Sequence, residues 1–241
     1  MKNLMFAFWG LVAVVAGGAE KTDRIRVACI GDSITWGYAM TNRVEECYPA
    51  QLQRILGDGY EVINCGDSGS CAYLEPKTTR TGWRPHPWRK GSQAQRAYEF
   101  NPDIVVSALG ANDSGVYMNE FTYVTNGIPV TEPGLFRRTY IDILKEFAKN
   151  GRMPRIILWT KLTPLDSRHG DHLSPSPFVM RSDLEAVAQA VGAQPLDMYT
   201  PLLPYADTAH YAKDGVHPEG AAQRKIAEVT AAAILGVARR N

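Results

Sequence analysis

Five short apolar runs recur along the chain: Ile25–Ile30, Tyr60–Asn64, Ile104–Leu109, Ile156–Thr160 and Gln194–Leu196. Each has the length and the β-branched or apolar content of a buried strand. Stretches of helical length stand between and after them, at Tyr48–Leu56, Ser92–Phe100, Gly134–Asn150, Phe178–Val191 and Gly220–Val237. Strands that alternate with helices specify an α/β fold with a parallel sheet covered on both faces, because each parallel pair needs a crossover long enough to hold a helix. Right-handed crossovers set the C-terminal ends of all the strands on one rim. Residues that follow different strands therefore meet there, where ligands bind in open α/β sheets. Helical spacing predicts that Leu135, Ile141, Leu144 and Phe147 face the core, and likewise Ile226, Val229 and Ile234 in the last helix.

The residues at those strand ends carry chemistry. The first run stops at Gly31, and Asp32 and Ser33 follow at once. A serine hydroxyl is a weak nucleophile until a base takes its proton. Near the far end stands Asp214-Gly-Val-His217-Pro, with a carboxylate and an imidazole at i and i+3. An imidazole titrates near neutrality, and a carboxylate on its other nitrogen fixes the tautomer. Gly69 follows the second run and Asn112 the third. Glycine lets backbone approach a bound group closely, and an amide donates without a protonation change. A second Gly-Asp-Ser, at Gly66-Asp67-Ser68, lacks the Ile-Thr-x-Gly that follows Ser33.

Four segments together resemble the GDSL, or SGNH, family of serine hydrolases. Gly31-Asp32-Ser33-Ile34-Thr35 matches the nucleophile block, Asn64-Cys-Gly-Asp-Ser-Gly69 the glycine block, Gly110-Ala-Asn112-Asp113 the asparagine block and Asp214-Gly-Val-His217 the closing block. They stand in the family's order and span nearly the whole chain after its first residues. The resemblance implies a single-domain three-layer α/β/α sandwich on a five-stranded, flavodoxin-like parallel sheet, which agrees with the strand count. It implies Ser33 as nucleophile, His217 as base, Asp214 as its partner, and an oxyanion hole from the N–H groups of Ser33 and Gly69 and the Asn112 amide. Gly66 rivals Gly69 for that role. No cofactor or metal is implied. Tyr48-Pro-Ala-Gln-Leu-Gln and Tyr60-Glu-Val-Ile-Asn look most like bacterial carbohydrate O-acetylesterases, which points to short acyl esters on a glycan. Lysophospholipase or thioesterase activity on the same catalytic parts, and a non-catalytic glycan-binding protein, are the alternatives.

Residues 1–19 read as a signal peptide, with Lys2, an apolar run from Leu4 to Val15, and Ala16-Gly-Gly-Ala19 for cleavage. Residues 20–241 then form the hydrolase domain, secreted or periplasmic, with no stable membrane insertion. The apolar run is shorter than the ~20 residues that span a bilayer. A net charge of +1 gives no reason to expect a nucleic-acid partner. Export permits disulfides. Cys29 and Cys65 read as buried thiols, whereas Cys47 and Cys71 fall in loops near one edge, which leaves a Cys47–Cys71 bridge open. The polar stretch Tyr73–Ser92 holds Trp83, Arg84 and Trp88, residue types that stack on and hydrogen-bond a sugar. Those three, with Asp32, are the candidate substrate contacts. Asp166, His169, Asp171 and His172 read as members of a surface loop rather than a metal site.

Overall fold

The computed structural model describes residues 24–76, 84–114, 134–164 and 180–236. The first run becomes β1 (Ile25–Gly31), whose last five residues are buried. Two four-residue helices follow, α1 (Ser33–Trp36) and α2 (Arg43–Glu46). Then come α3 (Tyr48–Leu56) and β2 (Tyr60–Gly66). The short strands β3 (Ser70–Cys71) and β4 (His86–Pro87) pair with each other. Next in order are α4 (Ser92–Phe100), β5 (Ile104–Ala108), α5 (Leu135–Glu146) and β6 (Arg155–Lys161). The chain continues through α6 (Arg181–Val191), β7 (Gln194–Asp197), α7 (Tyr199–Leu202) and α8 (Gly220–Gly236).

The main sheet has five strands in the order β2-β1-β5-β6-β7, every neighbouring pair parallel. Among these five strands that is the 2-1-3-4-5 order of the flavodoxin-like sheet. Its switch point lies between β1 and β5, where the connections leave in opposite directions. Ser33 sits past the end of β1, and Asn112 lies four residues past the end of β5. Both therefore flank one crevice.

Helices flank the sheet in two groups: α3 packs on α8, while α5 packs on α6. Tyr98 of α4 joins the second group by its ring contact with Phe147, centroids 4.7 Å apart. On α5 the buried residues are Phe136, Tyr140, Ile143 and Leu144. Of the expected set, Leu144 and Phe147 are buried but Leu135 and Ile141 only partly so. The inward face is turned toward the aromatic pair because Tyr140 Oη lies 2.7 Å from Ser107 Oγ on β5. On α8, Ile226 and Ile234 are buried, and Val229 is partly so.

All four cysteines are buried free thiols, so no Cys47–Cys71 bridge forms. Cys71 Sγ faces the carbonyl of His86 at 3.5 Å, while Cys47 Sγ takes a contact from Asn64 Nδ2 at 3.4 Å. Burial pushes the thiols of Cys29, Cys65 and Cys71 well above their ordinary value, which keeps them inert. Among the described residues, no helix is long and apolar enough to cross a membrane.

Candidate active site

Ser33 opens α1 directly beyond the sheet. Asp32 caps that turn, its Oδ1 accepting the Ile34 N–H at 2.9 Å. The Ser33 carbonyl accepts the N–H groups of Gly37 and Tyr38 at 3.0 and 2.9 Å. Behind the turn runs Gly66, where a Cβ would fall 2.2 Å from the Trp36 nitrogen. Only glycine lets β2 pass that close.

His217 arrives from the other end of the chain on a hairpin. Tyr211 bridges Pro218 in antiparallel fashion. Ala212 N–H donates to the His217 carbonyl at 2.9 Å, and Glu219 N–H to the His210 carbonyl at 2.7 Å. The turn passes through Gly215 at φ +69°, which explains the glycine of the Asp-Gly-Val-His motif. Asp214 Oδ1 accepts the N–H of Val216 at 2.9 Å and of His217 at 3.2 Å. Its Oδ2 lies 2.7 Å from His217 Nδ1. His217 Nε2 stands 2.8 Å from Ser33 Oγ, across 184 residues of sequence. With Asp214 holding a proton on Nδ1, the lone pair of Nε2 faces the hydroxyl. Burial raises the Asp214 carboxyl, but the Val216 N–H and the contact with His217 outweigh it and hold the group below its ordinary value. Asp214 therefore remains an anion at neutral pH.

Gln223 was not singled out from the sequence, yet it locks the two halves together. Its Oε1 accepts the Tyr48 N–H at 2.8 Å, and its Nε2 donates to the Pro218 carbonyl at 3.1 Å and the Ile34 carbonyl at 3.4 Å. The one visible signal is a glutamine on the small, apolar face of α8 formed by Ala222, Ile226 and Ala227.

Gly66 N–H already donates to Asn64 Oδ1 at 2.9 Å. That favours Gly69, in the turn before β3, as the glycine whose N–H serves a ligand. Asn112 Nδ2 donates to the Ser70 carbonyl at 2.8 Å, which fastens the end of β5 to that turn. The amide nitrogen carries a second hydrogen. In the second Gly-Asp-Ser, Asp67 N–H is committed to the Gly31 carbonyl at 2.9 Å and its carboxylate to His86 at 3.0 Å. The imidazole of His217 faces Ser33.

Two of the four candidate substrate contacts need correction. Trp88 is fully buried, with its Nε1 donating to the Cys65 carbonyl at 2.9 Å and its ring edge-on to Tyr98. It is a core residue with no face for a ligand. Asp32 is 1% exposed and serves as a helix cap. Arg84 is exposed and donates through Nε to the Pro76 carbonyl at 3.1 Å. Trp83 lies outside the described residues, as do residues 1–19 and Asp166, His169, Asp171 and His172. Among the described residues, no group of three His, Cys, Asp or Glu side chains is arranged to hold a metal.

Two carboxyls are buried at this rim, and each leaves its Oδ2 without a hydrogen-bond partner among the described residues: Asp32 and Asp113. Asp113 Oδ1 accepts the N–H groups of Ala72 and Tyr73 at 2.8 and 3.1 Å. Burial pushes Asp32 up to about 6 and Asp113 up to about 7. In the unfolded chain both ionise near about 3.9. Between these values the folded state binds more protons, so their contribution to stability is greatest below about pH 4 and is lost as pH rises through 6 to 7. Asp113→Asn keeps an oxygen for both N–H groups and has no charge to bury. Its melting temperature should therefore gain on wild type, by roughly 5 °C between pH 5 and pH 8. A difference in melting temperature that stays constant with pH would contradict this account of Asp113.

Residues 29–225 match the family model described as the GDSL-like lipase/acylhydrolase family. The chain belongs to that family. An acetylxylan esterase of Xylanibacter ruminicola is 34% identical over 229 residues. That match takes in 90% of this GDSL-family chain but spans only 44% of the relative. Among solved structures, an acetyl xylan esterase, AlAXEase, superposes with TM-score 0.60 at 20% identity, over 87% of this chain and 100% of its own. The aryl esterase of M. smegmatis gives 0.57 at 18%, over 88% and 99%. Two esterases with differently named substrates fit almost equally well, so the structural likeness speaks to the GDSL-family fold and not to the ester.

Proposed function

We propose that this chain is an exported carboxylic ester hydrolase that removes short acyl groups, foremost acetyl, from carbohydrate. The reading rests chiefly on the 2.8 Å approach of Ser33 Oγ to His217 Nε2, with Asp214 at 2.7 Å behind the imidazole. In the reaction, His217 Nε2 takes the hydroxyl proton as Ser33 Oγ attacks the ester carbonyl. The Ser33 N–H, the Gly69 N–H and the Asn112 amide receive the negative charge that develops on the carbonyl oxygen. Collapse of the tetrahedral intermediate expels the alcohol with a proton from His217 and leaves an acyl-Ser33 ester. Water, deprotonated by the same nitrogen, attacks that ester and releases the acid. Asp214 stabilises the imidazolium through both steps.

The choice of acetyl and of carbohydrate draws on the acetylxylan esterase relative, the sequence likeness to carbohydrate O-acetylesterases, and the polar side chains of the Tyr73–Ser92 stretch. Export draws on the leader-like composition of residues 1–19. The decisive assay is acetate release from a panel of acetylated glycans, run beside acyl esters of increasing chain length. Acetate esters should be cut at least about tenfold faster than esters of eight or more carbons, as expected of an acyl site sized for a methyl group, where forcing in a longer chain costs about 1–3 kcal/mol. The opposite preference would move the protein to the lysophospholipase or thioesterase reading.

A further inference from the structure

Tyr38 took no part in the sequence reading, yet it touches the proposed base. Its ring lies over the His217 imidazole, centroids 4.4 Å apart and planes at 45°. The two edges of that imidazole are occupied by Asp214 and Ser33. Tyr38 therefore covers a face. Unlike the core rings of Tyr48, Tyr140, Trp88 and Trp159, which are at most 1% exposed, Tyr38 is 49% exposed. It is half packed against the machinery and half open to whatever enters.

The backbone holds it there. Tyr38 N–H donates to the Ser33 carbonyl at 2.9 Å, so the ring is tied to the nucleophile's own residue. The next residue, Ala39, has φ +70°. Among the described residues only Asn101, which caps α4, is another non-glycine with positive φ. Asparagine tolerates that region and alanine does not. Strain of this kind persists where surrounding structure imposes it, and it gathers at functional sites.

From these observations we infer that Tyr38 is a specificity-determining residue, the platform on which the leaving alcohol rests. The inference rests on the acetylesterase reading above. The alcohol oxygen must come within hydrogen-bond reach of His217 Nε2 to collect its proton. Whatever is attached to that oxygen then extends past the imidazole, and the open half of the Tyr38 ring is an apolar surface beside it. A sugar presents a C–H face that packs on such a ring, whereas a methyl group is too small to cover it. Tyr38 thus favours esters of bulky, flat-faced alcohols such as sugars over esters of small ones.

The test compares kcat/KM on an acetylated xylo-oligosaccharide and on methyl acetate for wild type, Tyr38→Ala, Tyr38→Phe and Tyr38→Trp. The ratio of the two values should fall about tenfold in Tyr38→Ala, mostly through KM, and stay near wild type in the two variants that keep a ring. Wild type active on both esters, with Tyr38→Ala losing equally on both or on neither, overturns this inference alone. An equal loss joined to a shifted pH profile would show instead that the ring acts only by positioning His217. Wild type inactive on both esters overturns the acetylesterase reading, and this inference with it.

Discussion

Ser33→Ala should abolish ester hydrolysis, lowering kcat/KM on a short acetate ester by at least about 10⁴-fold while the protein stays folded. The effect is large because the proposed mechanism makes the covalent bond through this hydroxyl, which lies 2.8 Å from His217 Nε2. What remains is the activity that binding and the oxyanion donors supply without a nucleophile. Stability should barely move. The backbone roles of residue 33, in β1's exit and in accepting from Gly37 and Tyr38, do not need the hydroxyl. The Asp214–His217 contact also survives. The melting temperature should stay within about 2 °C of wild type. Ser68→Ala is the matched control, since it removes the serine of the second Gly-Asp-Ser and should keep full activity. A fluorophosphonate probe adds a second readout: it should label wild type and Ser68→Ala but not Ser33→Ala. If the outcomes exchange, with Ser33→Ala active and Ser68→Ala dead, the nucleophile has been misassigned.

The strands and their rim were legible because their signals are local and repeated. Val27 to Ile30 are apolar without alternation because β1 is central and buried on both faces. Once the order of strands and helices is read, topology alone brings Ser33 and Asn112 to one crevice. The segments between are harder. Helices α1 and α2 are four residues each, too short to form on their own, and tertiary contacts hold them rather than propensity. Trp88 stands among prolines, arginines and lysines, and that company reads as a ligand-binding loop. Nothing local reveals that its indole fills the space beside Cys65 and Tyr98. On α5 two overlapping apolar sets share helical spacing, and the hydrogen bond of Tyr140 to Ser107 decides between them. Tyr38 and Gln223 matter through partners 179 and 175 residues away in sequence (217 − 38 and 223 − 48). Contacts of that range leave no periodic trace.

Asp214→Asn should cost nearly as much as removing the nucleophile, on the order of 10⁴-fold in kcat at neutral pH, although it changes one atom. On the proposed mechanism the carboxylate has two duties, and they fall to different oxygens. Oδ1 accepts the N–H groups of Val216 and His217 and shapes the turn. An asparagine oxygen can do the same, so the hairpin should keep its form and the melting temperature should fall only modestly. Oδ2 faces His217 Nδ1. With the amide oxygen committed to the turn, the amide NH₂ occupies that place and donates. Nδ1 must then accept, which moves the imidazole proton to Nε2. A protonated Nε2 turns toward Ser33 Oγ as a donor and has no lone pair with which to take the hydroxyl proton. Base strength fails through the wrong tautomer, while geometry is kept. The imidazolium that forms in the transition state also loses its counter-charge, which adds to the loss. Wild-type Asp214 titrates below the ordinary carboxylate range, so wild-type activity should not decline through Asp214 protonation until well into acid. Measuring kcat/KM against pH for both proteins, with thermal melts beside them, separates the two duties. A folded Asp214→Asn protein with activity within about tenfold of wild type would mean that the carboxylate only builds the turn.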